Sequence, residues 1–385
     1  MKFRTEEIMP PPIVKISEAA KRYINSPDFL NLGQGLPGHI PPMNALSSIS
    51  DNMKHPLLHR YTPDQGHVEL REELAIYLRR ISNINVDPLS ELVITSGANA
   101  AFAGAILTMV GPGDNVIMPT PFYFNAAMAV RLAGGHVLEA PVDDRFQPTP
   151  DRIAELIDED TKAIVIISPN NPTGAVYHKD KIDRIVDLCI ENDIALISDE
   201  TYAQLVFNGC EHYSPRTRND ARDNVITIGS FSKDFGMSGW RVGYVLGSTD
   251  FIQEYMKVQD TITICAPTAG QLLALEILKH NLDEIRNEIR RLENLRELAY
   301  MRSREIEALD FHKTCGTFYM FPRVKNCNDS RALVLEMLNS IHTLVLPGSI
   351  FGPGGENHIR LSIGPLTPDA VNEAFDRLVT FFKQY

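Results

Sequence analysis

A lysine becomes an amine nucleophile when it is partly stripped of water and crowded by other cations, since both lower its pKa. Lys233 has the makings of such a setting. It follows the apolar run 225–228 inside Gly229-Ser-Phe-Ser-Lys-Asp-Phe-Gly-Met-Ser-Gly-Trp-Arg-Val-Gly243, and the four glycines of that segment allow a ligand to approach the backbone closely. Arg241 lies on the same segment and reaches the same anionic group if the chain folds back. Asp199 ends a second apolar run, 194–198, where a carboxylate is costly unless a helix N-terminus or a cation meets it. A protonated pyridine nitrogen is one such cation, and Tyr202 stands near enough in sequence to offer its phenol to an oxygen on the same ring.

The elements that must position these groups read as an α/β sheet. Apolar runs at 92–95, 115–118, 136–138, 163–167, 194–198 and 225–228 have the two-sided hydrophobicity of strands covered by helices on both faces. Amphipathic stretches alternate with them; in 179–191, Ile182, Ile185, Val186 and Cys189 share one stripe. Two loops fall where such sheets bind ligands. Asn170-Asn-Pro-Thr-Gly174 follows a strand, and Ser96-Gly-Ala-Asn99 sits between a strand and a helix, whose free N–H groups and positive dipole end suit a phosphate. A charged helix is expected over 281–309. Strands at 316–322, 342–346 and 358–363 and a helix over 368–383 follow it. The expected organisation is an N-terminal segment (1–44), a large domain with a mostly parallel sheet (45–280), a connecting helix (281–310) and a smaller α+β domain (311–385).

Bulk properties exclude several classes. A net charge of −12 over 385 residues argues against nucleic-acid binding, which needs clustered Lys and Arg. Residues 1–12 carry two basic residues with no apolar stretch behind them, unlike a secretory signal, and no apolar run is long enough to span a bilayer. A cytoplasmic protein is the expectation. The five cysteines, Cys189, Cys210, Cys265, Cys315 and Cys327, form no C-x-x-C pair, and isolated reduced thiols are expected. No His, Cys and carboxylate cluster has metal-ligand spacing, so no metal is expected. Gly33-Gln-Gly35 lacks the third glycine of a dinucleotide fingerprint. Ser230-x-x-Lys233 matches the S-x-x-K of serine acyl enzymes, but the S-D-N and K-T-G companions are absent and the motif follows a strand.

In order and spacing the motifs resemble the fold-type I pyridoxal-phosphate enzymes, specifically the class I/II aminotransferases. The likeness runs from Leu32-Gly-Gln-Gly-Leu-Pro37 to Arg360-Leu-Ser-Ile363. Its most specific piece is Ser230-x-x-Lys233 followed by Gly239-Trp-Arg-Val-Gly243, supported by Asn171-Pro-Thr-Gly174 and Asp199-Glu-x-Tyr202. The resemblance implies pyridoxal 5′-phosphate held by Lys233 as a Schiff base, with Lys233 also moving the substrate proton. It implies Asp199 on the pyridine nitrogen, Asn171 and Tyr202 on the ring oxygen, and Tyr123 stacked on the ring. Ala98, Asn99, Ser230 and Arg241 would cup the phosphate. Tyr61 would reach the phosphate of a neighbouring subunit, which implies a homodimer with shared active sites. Arg360 would clamp the α-carboxylate of an amino acid or oxo acid, with Asn171 and Gly35 beside it.

Two matters stay open at the level of sequence. Transamination between an L-amino acid and a 2-oxo acid is the expected reaction, and a lyase or cyclase acting on a β or γ leaving group is its rival, because one scaffold hosts all three. Side-chain specificity is unassigned. Leu36, Thr201 and Gln204 stand where the family often carries an acid, and Asp64 is either a turn acid in solvent or a partner for a cationic, arginine-like substrate.

Overall fold

The computed structural model describes every residue except Met1, Lys2, Arg4, Glu7, His55 and Tyr385, and every described side chain except those of Lys15 and Ser17. The basic pair of the N-terminal segment, Lys2 and Arg4, therefore lies outside the described residues.

The large sheet has seven strands: β1 (Leu92–Thr95), β2 (Asn115–Thr120), β3 (His136–Pro141), β4 (Thr161–Ile167), β5 (Ala195–Asp199), β6 (Val225–Ser230) and β7 (Gly243–Leu246), in the order β1-β7-β6-β5-β4-β2-β3. Each of the six expected strands is present, extended by a residue or more at one end in five of them. β7 was not anticipated; it alone runs against the others, pairing antiparallel with both β1 and β6. Its insertion puts Arg241, just before Gly243, beside the loop that follows β1. The edge strand β1 and the inner strands β2 and β6 are buried at every position, whereas the opposite edge strand, β3, is largely exposed, as its weaker apolar character requires.

Asp199 is the last residue of β5, and the carboxyl ends of β4 and β6 lead into the loops bearing Asn171 and Lys233, as expected of a ligand site in an α/β sheet. Helix α1 (Pro12–Ala20) precedes the sheet, and α2 (Ala98–Met109) follows β1 directly. Its preceding residue, Gly97, has φ of +86°, a conformation that glycine tolerates and that turns the chain sharply from strand into helix. Helix α3 (Lys179–Glu191) matches its expected span and buries the expected stripe of Ile182, Ile185, Val186 and Cys189.

The charged helix α4 (Leu282–Ser303) stops short of the expected end at 309. Beyond Ser303 the chain leaves the helical path so that Ile306 and Leu309 can enter the C-terminal core, and Leu309 pairs with Val324. At its start Ile285 packs into a core beside the large sheet, while Leu292, Leu295 and Ala299 pack into the C-terminal core with α5 (Pro368–Phe382). The expected strands at 316–322, 342–346 and 358–363 shrink to β8 (Tyr319–Met320), a split pair ending in β9 (Leu346–Pro347), and β10 (Ile359–Ser362). They form a small antiparallel sheet in the order β8-β10-β9. Tyr202, Leu205 and Phe207, from the loop after β5, belong to this C-terminal core and couple it to the large sheet.

The expectation of five isolated thiols is corrected: Cys210 and Cys315 form a disulfide between positions 105 residues apart. Spacing gave no hint of it. The two loops are aligned by the Phe207 N–H, which donates to the Cys315 carbonyl at 2.8 Å, and by a bridge between Val206 and Gly316. Their Cα atoms stand 6.2 Å apart, inside the range a disulfide spans. Cys189, Cys265 and Cys327 are free. Thiol titration of the denatured, unreduced protein should therefore count these three, and all five after reduction. Five thiols before reduction, in protein prepared without reductant, would contradict the pairing.

Candidate active site

Lys233, Asp199, Asn171 and Arg360 reach one cavity from four different elements. Its volume is about 230 Å³, a little below the usual range of roughly 300–1,000 Å³ for ligand sites, and it is also lined by Gly35, Ala98, Asn99, Tyr123, Tyr202, Ser230 and Arg241. Of the site residues read from the sequence, all but Tyr61 therefore converge on this cavity. Tyr61 is 78% exposed on the surface of its own chain. Asp64, the possible partner of a cationic substrate, is also absent from the lining, and its carbonyl is held by Gln259 Nε2 at 2.6 Å.

Lys233 follows β6 and donates from Nζ to the Gly35 carbonyl at 2.6 Å, the one hydrogen bond of its side chain among the described residues. Enclosure, and next the Arg360 and Arg241 guanidiniums, bring its pKa from the ordinary lysine value of 10.5 down to about 8. Near neutrality a useful fraction of the amine is then free of its proton. This is the environment its sequence neighbourhood called for.

Asp199, the last residue of β5, has the opposite problem. Its Oδ1 accepts from the Thr201 N–H at 3.0 Å, yet removal from solvent raises its pKa above the usual carboxylate range. Among the described residues no cation neutralises it, so the carboxylate has an unmet need for a cationic partner in the cavity. Helix capping alone does not account for it, because no α-helix begins at Asp199.

Arg241 sits at φ of +54°, a left-handed conformation that swings its guanidinium back toward the start of α2. Nη1 donates to the Ser238 carbonyl at 2.8 Å and, at 3.4 Å, to Ser232 Oγ. A side chain at Gly97 would put its Cβ 2.5 Å from Arg241 Nη2. Glycine there is what lets the guanidinium and the first turn of α2 face the same point. The N–H groups of Ala98 and Asn99, at the start of that turn, have no acceptor within the helix. With the Ser230 hydroxyl they make an anion cup of one charge, one dipole and several donors.

Arg360, on β10, is 2% exposed. Nη1 donates to Asn171 Oδ1 at 3.0 Å, Nη2 to the Gly33 carbonyl at 2.6 Å, and the guanidinium lies over the Tyr319 ring, 4.4 Å from its centre. No carboxylate pairs with it among the described residues. A buried, unpaired guanidinium held flat in this way is a fork for a carboxylate brought by a ligand.

Sequence reasoning missed Ile13, Ile167, Ser232, Ser238 and Tyr319, which also line the cavity. The serines lay in plain view between Ser230 and Arg241. Ile13 and Tyr319 gave no local signal, because α1 and β8 reach the cavity only through long-range packing. Among the described residues, no group of three or more His, Cys, Asp or Glu side chains is placed to hold a metal ion, and no helix is long and apolar enough to cross a membrane.

The chain is similar to known proteins along nearly its whole length. Residues 27–378 match the model of aminotransferase class I and II. An aspartate aminotransferase of Pyrococcus abyssi is 33% identical over 98% of this chain and 97% of its own length. An aromatic-amino-acid aminotransferase of Thermococcus litoralis is 31% identical over 99% of this chain and 98% of its own. The solved structure of the Thermus thermophilus aspartate aminotransferase with maleate superposes with a TM-score of 0.90 at 29% identity, covering 99% of both chains. The lyase or cyclase reading finds no support among these relatives. With a match that spans nearly its whole length, the chain belongs to the class I and II aminotransferase family and is an amino-group transferase.

Proposed function

We propose that this aminotransferase works with pyridoxal 5′-phosphate bound through Lys233, and that it exchanges the amino group of an L-amino acid with the oxo group of a 2-oxo acid. The observation that carries the reading is the complementarity of one cavity to that cofactor. An amine of lowered pKa, a carboxylate without a cation and an anion cup answer to an aldehyde, a pyridine nitrogen and a phosphate, respectively. The residues fit the group.

Bound there, pyridoxal phosphate would supply an aldehyde that condenses with amines and a protonated ring that takes up the electron pair left when a Cα–H bond breaks. The chain's own residues do the rest. Asp199 would face the ring nitrogen, and its carboxylate would keep the ring protonated. Asn171 and Tyr202 would donate toward the ring oxygen, and Tyr123 would cover the ring. Ala98, Asn99, Ser230 and Arg241 anchor the phosphate. Arg360 grips the substrate α-carboxylate in bidentate fashion, beside Asn171 and the small Gly35, and so fixes which substituent of Cα faces Lys233. With the group bound, Lys233 Nζ would be placed to accept the substrate Cα proton and to return it; general-base catalysis of this kind contributes roughly 10²–10⁴-fold.

The proposed assembly is a homodimer in which Tyr61 completes the partner's phosphate site. The exposure of Tyr61, with the exposed apolar Leu57, Ile262 and Ile264, supports a covered surface here. A cytoplasmic location is proposed from composition alone. The cavity's one acid, Asp199, is committed to the cofactor, which favours amino acids with neutral or anionic side chains over arginine-like ones.

Three outcomes test this reading. Borohydride reduction of the protein loaded with pyridoxal phosphate should place a pyridoxyl group on Lys233 in peptide mass maps, and Lys233→Ala should lose both the label and at least 10³-fold in turnover; label on another lysine would overturn the assignment. In cofactor-free protein, the pH profile of Lys233 acylation by an amine reagent should have its midpoint near 8. Removing a neighbouring cation favours the protonated amine, so Arg360→Leu should move that midpoint upward; an unmoved or lower midpoint would contradict the electrostatic account. Mixed dimers of Lys233→Ala and Tyr61→Ala chains should regain activity that neither parent dimer has. Failure of well-formed mixed dimers to do so would remove the shared site.

A further inference from the structure

We propose that Tyr319 is a positioning residue for the transfer reaction: its hydroxyl donates to Tyr202 and thereby frees the single phenolic proton of Tyr202 to point into the cavity. The inference rests on the pyridoxal phosphate reading above, in which Tyr202 serves the ring oxygen.

The argument is one of proton accounting. Tyr202 and Tyr319 oxygens lie 2.9 Å apart, with both side chains buried. Each phenol has one proton and two lone pairs, so only one of them donates across this contact. Were Tyr202 the donor, its proton would be spent on Tyr319, and it would offer the cavity only lone pairs, which repel an electron-rich ring oxygen. With Tyr319 as donor, Tyr202 keeps its proton for the ligand and has it made more acidic by the hydrogen bond it accepts.

The surroundings favour that direction. The Arg360 guanidinium favours negative charge on both phenols, but it lies directly over the Tyr319 ring, 4.4 Å from its centre, which makes Tyr319 the better donor. Burial resists ionisation of both phenols, so the proton is shared as a neutral hydrogen bond and not lost. Tyr319 is also held in place. It begins β8, whose register pairs it with Ser362 two residues from Arg360, and its N–H donates to Thr317 Oγ1 at 3.1 Å. On the cavity side its hydroxyl occupies the position a side chain at residue 35 would need: a Cβ built on Gly35 would lie 2.2 Å from it. The absence of a side chain at Gly35 thus serves this phenol as well as the ligand. One residue orders the Tyr202 proton with its hydroxyl and supports the Arg360 fork with its ring.

Substitutions separate the two contributions. Hydrogen bonds drawn onto the cofactor's ring oxygen pull charge away from the proton on Lys233 Nζ, so that this proton leaves at lower pH. Tyr319→Phe keeps the ring under Arg360 but weakens the Tyr202 donor. The pH midpoint of the visible absorbance change of the loaded protein should rise by about 0.3–0.5 unit, a fraction of one hydrogen bond, with KM for the amino substrate within about twofold of wild type. Tyr202→Phe should raise the midpoint further, and the double variant should match Tyr202→Phe alone. Tyr319→Leu, which also removes the ring, should raise KM by about tenfold. A Tyr319→Phe midpoint equal to wild type, or a full additional shift in the Tyr202→Phe background, overturns the assignment. A wild-type protein that shows no visible band with pyridoxal phosphate overturns the cofactor reading and this inference with it; a coloured wild type with an unmoved Tyr319→Phe midpoint overturns this inference alone.

Discussion

Lys233, Arg241 and Arg360 share a small cavity with a single carboxylate, Asp199, and the cost of that imbalance shapes the site. Like charges brought together out of water repel, and each is stable there only if hydrogen-bonded or matched by an incoming anion. Carbonyl and amide oxygens of the chain meet part of the need: Gly35 for Lys233, Ser238 for Arg241, Gly33 and Asn171 for Arg360. What remains calls for two anionic groups from outside, one at the start of α2 and one at Arg360. Asp199 calls for a cation between them. A cofactor with a phosphate and a ring nitrogen, and a substrate with a carboxylate, satisfy these demands together.

The fold makes the arrangement affordable by spreading it over elements that are rigid for other reasons. β4, β5 and β6 are packed on both faces, so the loops at their carboxyl ends start from fixed points. Arg360 comes from a separate small sheet, whose core takes in Tyr202, Leu205 and Phe207 from the loop after β5. The Cys210–Cys315 disulfide and the buried Arg296, which donates to the carbonyls of Thr314, Gly316 and Thr317, tie the chain leading into Tyr319 to the same loop and to α4. The two halves of the site are thereby held in register by covalent and polar links that touch no ligand.

Much of this was legible in the sequence, and the reason is local. Lys233, Ser230 and Arg241 lie on one glycine-rich segment; Asn171 sits in the loop after one apolar strand and Asp199 ends another. Residue type and strand position were enough to mark them as candidates, and the family resemblance assigned their roles. The parts that escaped depend on long-range pairing. β7 is a short run whose direction is set by insertion between β1 and β6, and nothing within it reveals that direction. The helix α4 stops where Ile306 and Leu309 are drawn into the C-terminal core, although the charged residues at 304 and 305 are good helix formers. Cys210 and Cys315 meet only because Phe207 pairs with Cys315. Tyr319 looked like one more apolar position in a strand, and its value lies in three neighbours, Tyr202, Gly35 and Arg360, each far from it along the chain.

The most direct test of the central claim is an electron-density map of the protein crystallised with pyridoxal phosphate. The account predicts continuous density from Lys233 Nζ into the ring, with the ring nitrogen within hydrogen-bond distance of Asp199 and the phosphate at the start of α2. A ring bound elsewhere, or one whose nitrogen faces away from Asp199, would contradict it.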